Sequence, residues 1–301
     1  MLRYFLYSLV LIAFTTGCSK DSNLQASKKD DNLMSVKDNP ADPTDHAIFQ
    51  FFQQTGIPAF YNDTIAREQV SENRFNYTKL SLAYSPVNGV DTMIKFKLPE
   101  DRTTIIPMLG FLKTELLPLL PAGVPIRSIL FVDTLTNVPM FIVPDGPETI
   151  SLNAFGGFNT VAIKIVNPDT FTVASKRLYI ASILEALFFK KLTNSTTLDL
   201  GSSFYSISRI AFQGEIYITD FTWTYPDLSK RPEDFGLITY YTIYEFIITG
   251  SEQEDLHSYL LALFSNTTAE FTAKYAAYPV TLQKFSVIRN MVKDLGFQFA
   301  D

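Results

Sequence analysis

Two histidines, His46 and His257, are all the imidazole this 301-residue chain offers for general-base chemistry near neutral pH. A serine or cysteine nucleophile needs such a base within hydrogen-bond reach. His46 borders a charged N-terminal stretch, and His257 sits in the polar run Glu254-Asp255-Leu256-His257, so both read as ordinary surface histidines. The chain has no Gly-x-Ser-x-Gly elbow, no phosphate-cradling Gly-Lys-Ser/Thr loop and no dinucleotide fingerprint. Gly156-Gly157, just before Phe158, reads as a turn. An active hydrolase would have to draw an acid/base pair from carboxylates such as Glu185, Glu215, Asp220 and Glu245.

Cys18, the only cysteine, points to a different chemistry. Arg3 supplies a positive start, Tyr4 to Phe14 an apolar core, and Thr15-Thr16-Gly17 the small residues before a cut. The apolar core is shorter than the roughly 20 residues that span a bilayer. A cysteine directly after that glycine resembles the lipobox of signal peptidase II substrates, with Thr15 in place of the usual Leu, Val or Ile. The expectation is a signal peptide over residues 1–17 and an acylated Cys18 that holds the chain to a membrane. Ser19 resembles the outer-membrane sorting class, and Lys20-Asp21 resembles export signals of Bacteroidota surface lipoproteins. The expected location is the cell envelope, lipid-anchored at the outer membrane.

Composition narrows the classes further. Net charge is −6, and −7 once residues 1–17, whose one charged side chain is Arg3, are removed. An acidic chain has no electrostatic footprint for nucleic acid. With Cys18 committed to lipid, no disulfide or cysteine-metal site is expected, and no cofactor is implied. Residues 18–45 are polar and charged, unable to bury enough surface to offset their ordering entropy, and read as a tether. The chain carries 26 Phe and 15 Tyr, most of them within residues 46–301, which therefore have the material for a large core.

The elements that must position any site fall in two halves. A short helix around Ile48, Phe49, Phe51 and Phe52 is closed by Gly56 and Pro58. Alternation predicts strands at Lys79–Tyr84 and Thr92–Lys97, then helical spacing runs over Thr103–Leu120. Arg127–Asp133, Val138–Val143, Thr149–Phe155 and Thr160–Val166 are strand candidates. The helix over Val173–Leu192 has Ile180, Ile183, Leu184, Leu187 and Phe188 on one stripe. Further helices are predicted at Ser202–Phe212, Gly236–Ile248, Gln253–Phe264 and Pro279–Leu295. The expected fold is α+β: a mixed sheet in the N-terminal half, mostly helices in the C-terminal half.

Three passages carry a family resemblance over residues 47–301. They are Phe51-Phe52-Gln53-Gln54-Thr55-Gly56-Ile57 with Phe60-Tyr61, the strand-then-helix order through Leu120, and the closing Phe285–Phe297 helix with its glycine-aromatic stop. Together they resemble Bacteroidota lipoproteins of the zinc-binding metallopeptidase type, zincin-like in fold, encoded beside outer-membrane nutrient-uptake transporters. That resemblance implies a zincin-like domain and, as partners, such a transporter and its partner lipoprotein. It also implies an H-E-x-x-H helix, in which two imidazoles four residues apart grip zinc and the glutamate activates water. Here the matching positions read Leu184-Glu185-Ala186-Leu187-Phe188, so the glutamate is kept and both ligands are apolar. Glu185 is either a leftover general base or a glutamate at the edge of a core helix. Glu245, in Tyr244-Glu245-Phe246, falls where a third ligand or its support would lie, or is structural.

No metal site is expected, and the expectation is a pseudoenzyme that works by contact, with Leu184 and Phe188 on the floor of the old cleft. One alternative is the active hydrolase above. The other is a carbohydrate-binding surface, since Tyr217, Phe221, Trp223 and Tyr225 cluster in sequence. Those rings fill the core equally well.

Overall fold

Strict alternation along two short strands explains the centre of the molecule. In β5 (Ile129–Val132), Ile129 and Phe131 join one apolar cluster while Leu130 and Val132 join another. In β9 (Val161–Lys164), Val161 and Ile163 go to the first cluster and Ala162 to the second. A strand covered on both faces needs apolar side chains at every position, and Ile-Leu-Phe-Val supplies them. In the computed structural model, residues 34–82, 94–138, 149–217, 230–243 and 246–299 are described.

The four-stranded sheet runs β1-β5-β9-β8, with β1 at Ala59–Phe60 and β8 at Ala154–Gly156. β1, β5 and β9 are parallel, and β8 pairs antiparallel to β9 at the edge. A three-stranded sheet is built from β4 (Ile94–Lys97), β6 (Thr134–Asn137) and β7 (Ile150–Ser151). Between β1 and β4 lies a hairpin of β2 (Thr64–Ser71) and β3 (Arg74–Lys79), whose Arg67 guanidinium sits 3.7 Å over the Phe75 ring. The helices are α1 (Pro43–Thr55), α2 (Ile105–Phe111), α3 (Val173–Thr193), α4 (Ser206–Phe212), α5 (Glu252–Ser265), α6 (Thr268–Lys274) and α7 (Pro279–Asp294). α2 runs on through a π-turn at Leu112–Leu116 and a short 3-10 turn at Leu117–Leu119. α3 packs on β8 and β9 on one side and on α5 on the other.

The protein is thus α+β, with the sheet ahead of most helices, as its residue pattern predicts. Three expectations are corrected. α1 begins at Pro43, inside the 18–45 stretch read as tether, because Asp42 caps it by accepting from the Thr44 and Asp45 amides. Arg102 pairs with Asp42 at 3.0 Å, and Val36 packs against the core, so the fold reaches back ahead of residue 46. The helix expected over Gly236–Ile248 is instead a hairpin of β10 (Tyr240–Ile243) and β11 (Phe246–Thr249). β-branched and aromatic residues dominate both strands and fit a pleated surface better than a helix. Of the strand expected over Lys79–Tyr84, only Lys79 lies in a strand, at the end of β3; Leu80 and Leu82 follow it as buried residues outside any strand, and residues 83–84 lie outside the described residues. Most of Val138–Val143 lies outside the described residues. No helix among the described residues is long and apolar enough to cross a membrane.

Candidate functional site

α3 positions most of what chemistry the sequence suggested. Its start is fixed by a capping box: Thr172 accepts from the Ser175 amide, and Ser175 accepts in return from the Thr172 amide. Ile183, Leu184 and Phe188 are buried, and Phe188 meets the rings of Phe264 at 5.1 Å and Phe297 at 5.5 Å. Leu184 and Phe188 therefore form core, not the floor of a cleft. A helix clamped between a sheet and α5 has two buried sides, and both residues lie within them.

Glu185 turns toward α5. His257 Nδ1–H donates to its carboxylate, and the His257 ring stacks on Phe189 with centroids 3.7 Å apart and planes 10° from parallel. His257 is thus half-exposed but held from two sides, rather than a free surface histidine. The contact resembles an imidazole oriented by a carboxylate, yet among the described residues no hydroxyl or thiol hydrogen-bonds to His257. His46 behaves as expected of a surface side chain, bonded to Asp38 and Gln50 at 2.8 Å each.

The remaining sequence candidates scatter. Glu215 is held by Arg209 at 2.8 Å and accepts from the Tyr217 amide. Asp220, Glu245, Phe221, Trp223 and Tyr225 lie outside the residues whose side chains are described. Tyr217 is only 1% exposed, and its hydroxyl donates to Asp255 at 2.7 Å. A ring enclosed in this way cannot be a stacking platform for sugars, which corrects its place on a binding surface. Among the described residues, no group of three or more His, Cys, Asp or Glu side chains gathers to hold a metal.

Two constellations escaped the sequence reading. The first is buried. Lys284 on α7 has a fully enclosed side chain whose Nζ donates to Asp255 Oδ2 at 2.5 Å, Ser208 Oγ at 2.9 Å and Tyr217 Oη at 3.2 Å. The rings of Phe204 and Tyr259 lie 4.5 and 4.8 Å from the ammonium. Burial pushes the Asp255 carboxyl up and the Lys284 ammonium down, and each opposes that push in the other. The signal was present in the sequence: a lysine at 284 sits on the stripe of Thr281, Phe285, Ile288 and Val292, all buried.

The second constellation is open to solvent. A groove of about 760 Å³ lies between the Val124–Arg127 segment, the turn joining β8 to β9, and the C-terminal half of α3. That volume lies within the roughly 300–1,000 Å³ of small-molecule sites. Glycines shape it, because the turn presses directly on the helix: a Cβ on Gly156 would come within 2.6 Å of the Ala186 carbonyl oxygen. One on Gly157 would come within 2.7 Å of Leu82 Cα. The turn is braced by Gly157 N–H to the Thr160 carbonyl at 2.8 Å and by Ser128 Oγ to the Asn159 carbonyl at 2.9 Å. Phe158 stands at its tip, 58% exposed. Arg127, Lys190 and Lys191 line the groove, and no Asp or Glu does. Lys190 Nζ donates to the Phe158 carbonyl at 2.6 Å. Its ammonium is held below its ordinary pKa by burial and then by the like charge of Arg127.

Known proteins offer no template for either constellation. No protein-family model, no curated protein and no solved structure matches the chain. The functional reading rests on the side chains themselves.

Proposed function

We propose that the chain is a non-catalytic binding protein of the cell envelope, held at the outer membrane through lipid on Cys18. In this reading it acts beside a nutrient-uptake transporter and its partner lipoprotein, and descends from a zincin-like metallopeptidase. One observation carries the non-catalytic part. The two positions flanking Glu185 at ligand spacing hold Leu184 and Phe188, both packed into the core, while Glu185 itself is taken up by His257. Hydrocarbon cannot ligate zinc, and neither position has room to turn outward. The α+β order, sheet first and helices after, supports the ancestry.

Metal content tests this. The full chain, produced with its own leader, without a histidine tag and with zinc in the medium, is dialysed and assayed by elemental mass spectrometry. Zinc near zero per chain supports the reading, and zinc near one per chain overturns it. Anchoring is tested separately by the mass of the mature chain, which carries acyl groups in the parent and none in Cys18→Ser.

A second reading takes the Glu185–His257 contact as the remnant of an active hydrolase, with the imidazole as base and Glu185 as its orienting group. It predicts a hydrolytic activity that Glu185→Gln abolishes while the melting temperature stays put. An activity unchanged by Glu185→Gln removes this reading.

A further inference from the structure

The groove beside α3 presents an imbalance of charge that the rest of the chain does not explain. The protein is acidic overall, with 31 Asp and Glu against 25 Lys and Arg, yet three cations and no carboxylate line this concavity. Elsewhere, several cations lie against carboxylates: Arg209 pairs with Glu215 and Glu252, Arg177 with Glu270, Lys176 with Glu115, and Lys284 with Asp255. Lys190 has a carbonyl, and neither Arg127 nor Lys191 has an ion-pair partner among the described residues.

The end of α3 accounts for part of this. Lys190 and Lys191 lie in its last turn, where the helix carbonyls favour positive charge. Arg127 comes from the loop ahead of β5 and has no such compensation. Placing its charge close enough to disfavour that of Lys190 costs free energy. An anion between them would reverse the sign of that cost. Val124, Ile126, Leu187 and Leu295 give the lining an apolar part, beside the polar Asn194–Thr197 segment.

We propose that this groove binds an organic anion, with its charged head on Arg127 and Lys190 and its apolar body against Ile126 and Leu187. Arg127 supplies a planar fork suited to a carboxylate or phosphate, and Lys190 a point charge already oriented by the Phe158 carbonyl. Phe158, at the rim, covers the apolar body. The inference rests on the reading of the chain as a binding protein and names the ligand class of that function.

The test is calorimetric titration of the full chain in lipid nanodiscs with 2-naphthoate, against its neutral counterpart 2-naphthamide and against inorganic phosphate, with empty nanodiscs as blank. Naphthoate is expected to bind saturably, and naphthamide and phosphate at least about tenfold more weakly, since each lacks one half of the match. Arg127→Met and Lys190→Met are each expected to weaken naphthoate by about tenfold or more with unchanged melting, whereas Lys113→Met, outside the groove, has no effect. Equal binding of naphthoate and naphthamide overturns the anion assignment while leaving a binding protein. Naphthoate binding indifferent to both Arg127→Met and Lys190→Met overturns the site. Absence of naphthoate binding overturns the ligand class. None of these outcomes alters the zinc and Glu185→Gln measurements, which test the non-catalytic reading separately.

Discussion

Lys284 and Lys190 are the same residue type on two helices, and the molecule treats them in opposite ways. Lys284 is enclosed by a carboxylate, two hydroxyls and three rings, and every N–H has somewhere to go. Lys190 has one carbonyl and a like-charged neighbour, and it faces an opening. A charge without solvent must be matched from within the chain, because desolvation otherwise outweighs anything packing contributes. A charge left half-matched at a concave surface keeps its attraction for something from outside. The contrast separates charge used to fix structure from charge held for a partner.

The comparison is broken most forcefully at Lys284. Lys284→Met strands Asp255 in an aromatic box and is expected to cost about 3–5 kcal/mol in denaturant unfolding. Pairing it with Asp255→Leu should recover most of the loss, and a double variant as unstable as the single one would show that packing, not charge, is at stake. Gly156→Ala comes next, at about 1–3 kcal/mol, because the new methyl meets the Ala186 carbonyl at 2.6 Å and must lift the turn off α3. The same variant should weaken naphthoate, tying the groove's shape to the glycine. Lys190→Met, by contrast, should leave stability within about 0.5 kcal/mol of the parent, since the groove gives that charge no carboxylate to lose.

The smallest effect sets the baseline. Glu270 is an exposed carboxylate that Arg177 and the Thr267 amide hold down at about 2, below its ordinary value of 4.5. A folded pKa below the unfolded one stabilises the fold in full above 4.5 and ceases to as pH falls through about 2. The melting advantage of the parent over Glu270→Gln should be constant near neutral pH, then vanish across that window. A difference flat to the acid end would mean that the Arg177 pair contributes nothing.

How much of this was legible depends on whether the physics was local. α3 could be read from Ile183, Leu184 and Phe188 because a helix clamped on two sides writes apolar residues at helical spacing. Ile180 and Leu187, on the same stripe, are only half-buried, so spacing found the helix without resolving its faces. The β2–β3 hairpin left no trace, since its strands are mostly exposed on both sides and show no period to detect. α6 is not among the predicted helices, and its main local signal is the capping box formed by Thr267 and Glu270. The run Tyr240–Thr249 forms a hairpin rather than the expected helix because its β-branched and aromatic residues favour a pleated surface, a preference that tertiary context decides. The groove was beyond local reading. Arg127 and Lys190 meet only because β5, β9 and β8 bring the loop ahead of β5 beside the end of α3. Glu185 was legible as a glutamate of interest, but its partner His257 sits on another helix 72 residues away.

Lys284 follows Asp255 by 29 residues, and this separation has a consequence in time rather than in space. A chain made from its N-terminus presents Asp255, Tyr217 and Phe204 well before the ammonium that completes them. Until α7 docks, the Asp255 carboxylate must keep its water, and the rings around it cannot close. The cost of enclosing Asp255 without a partner therefore opposes closure of this part of the helical half until Lys284 is in place.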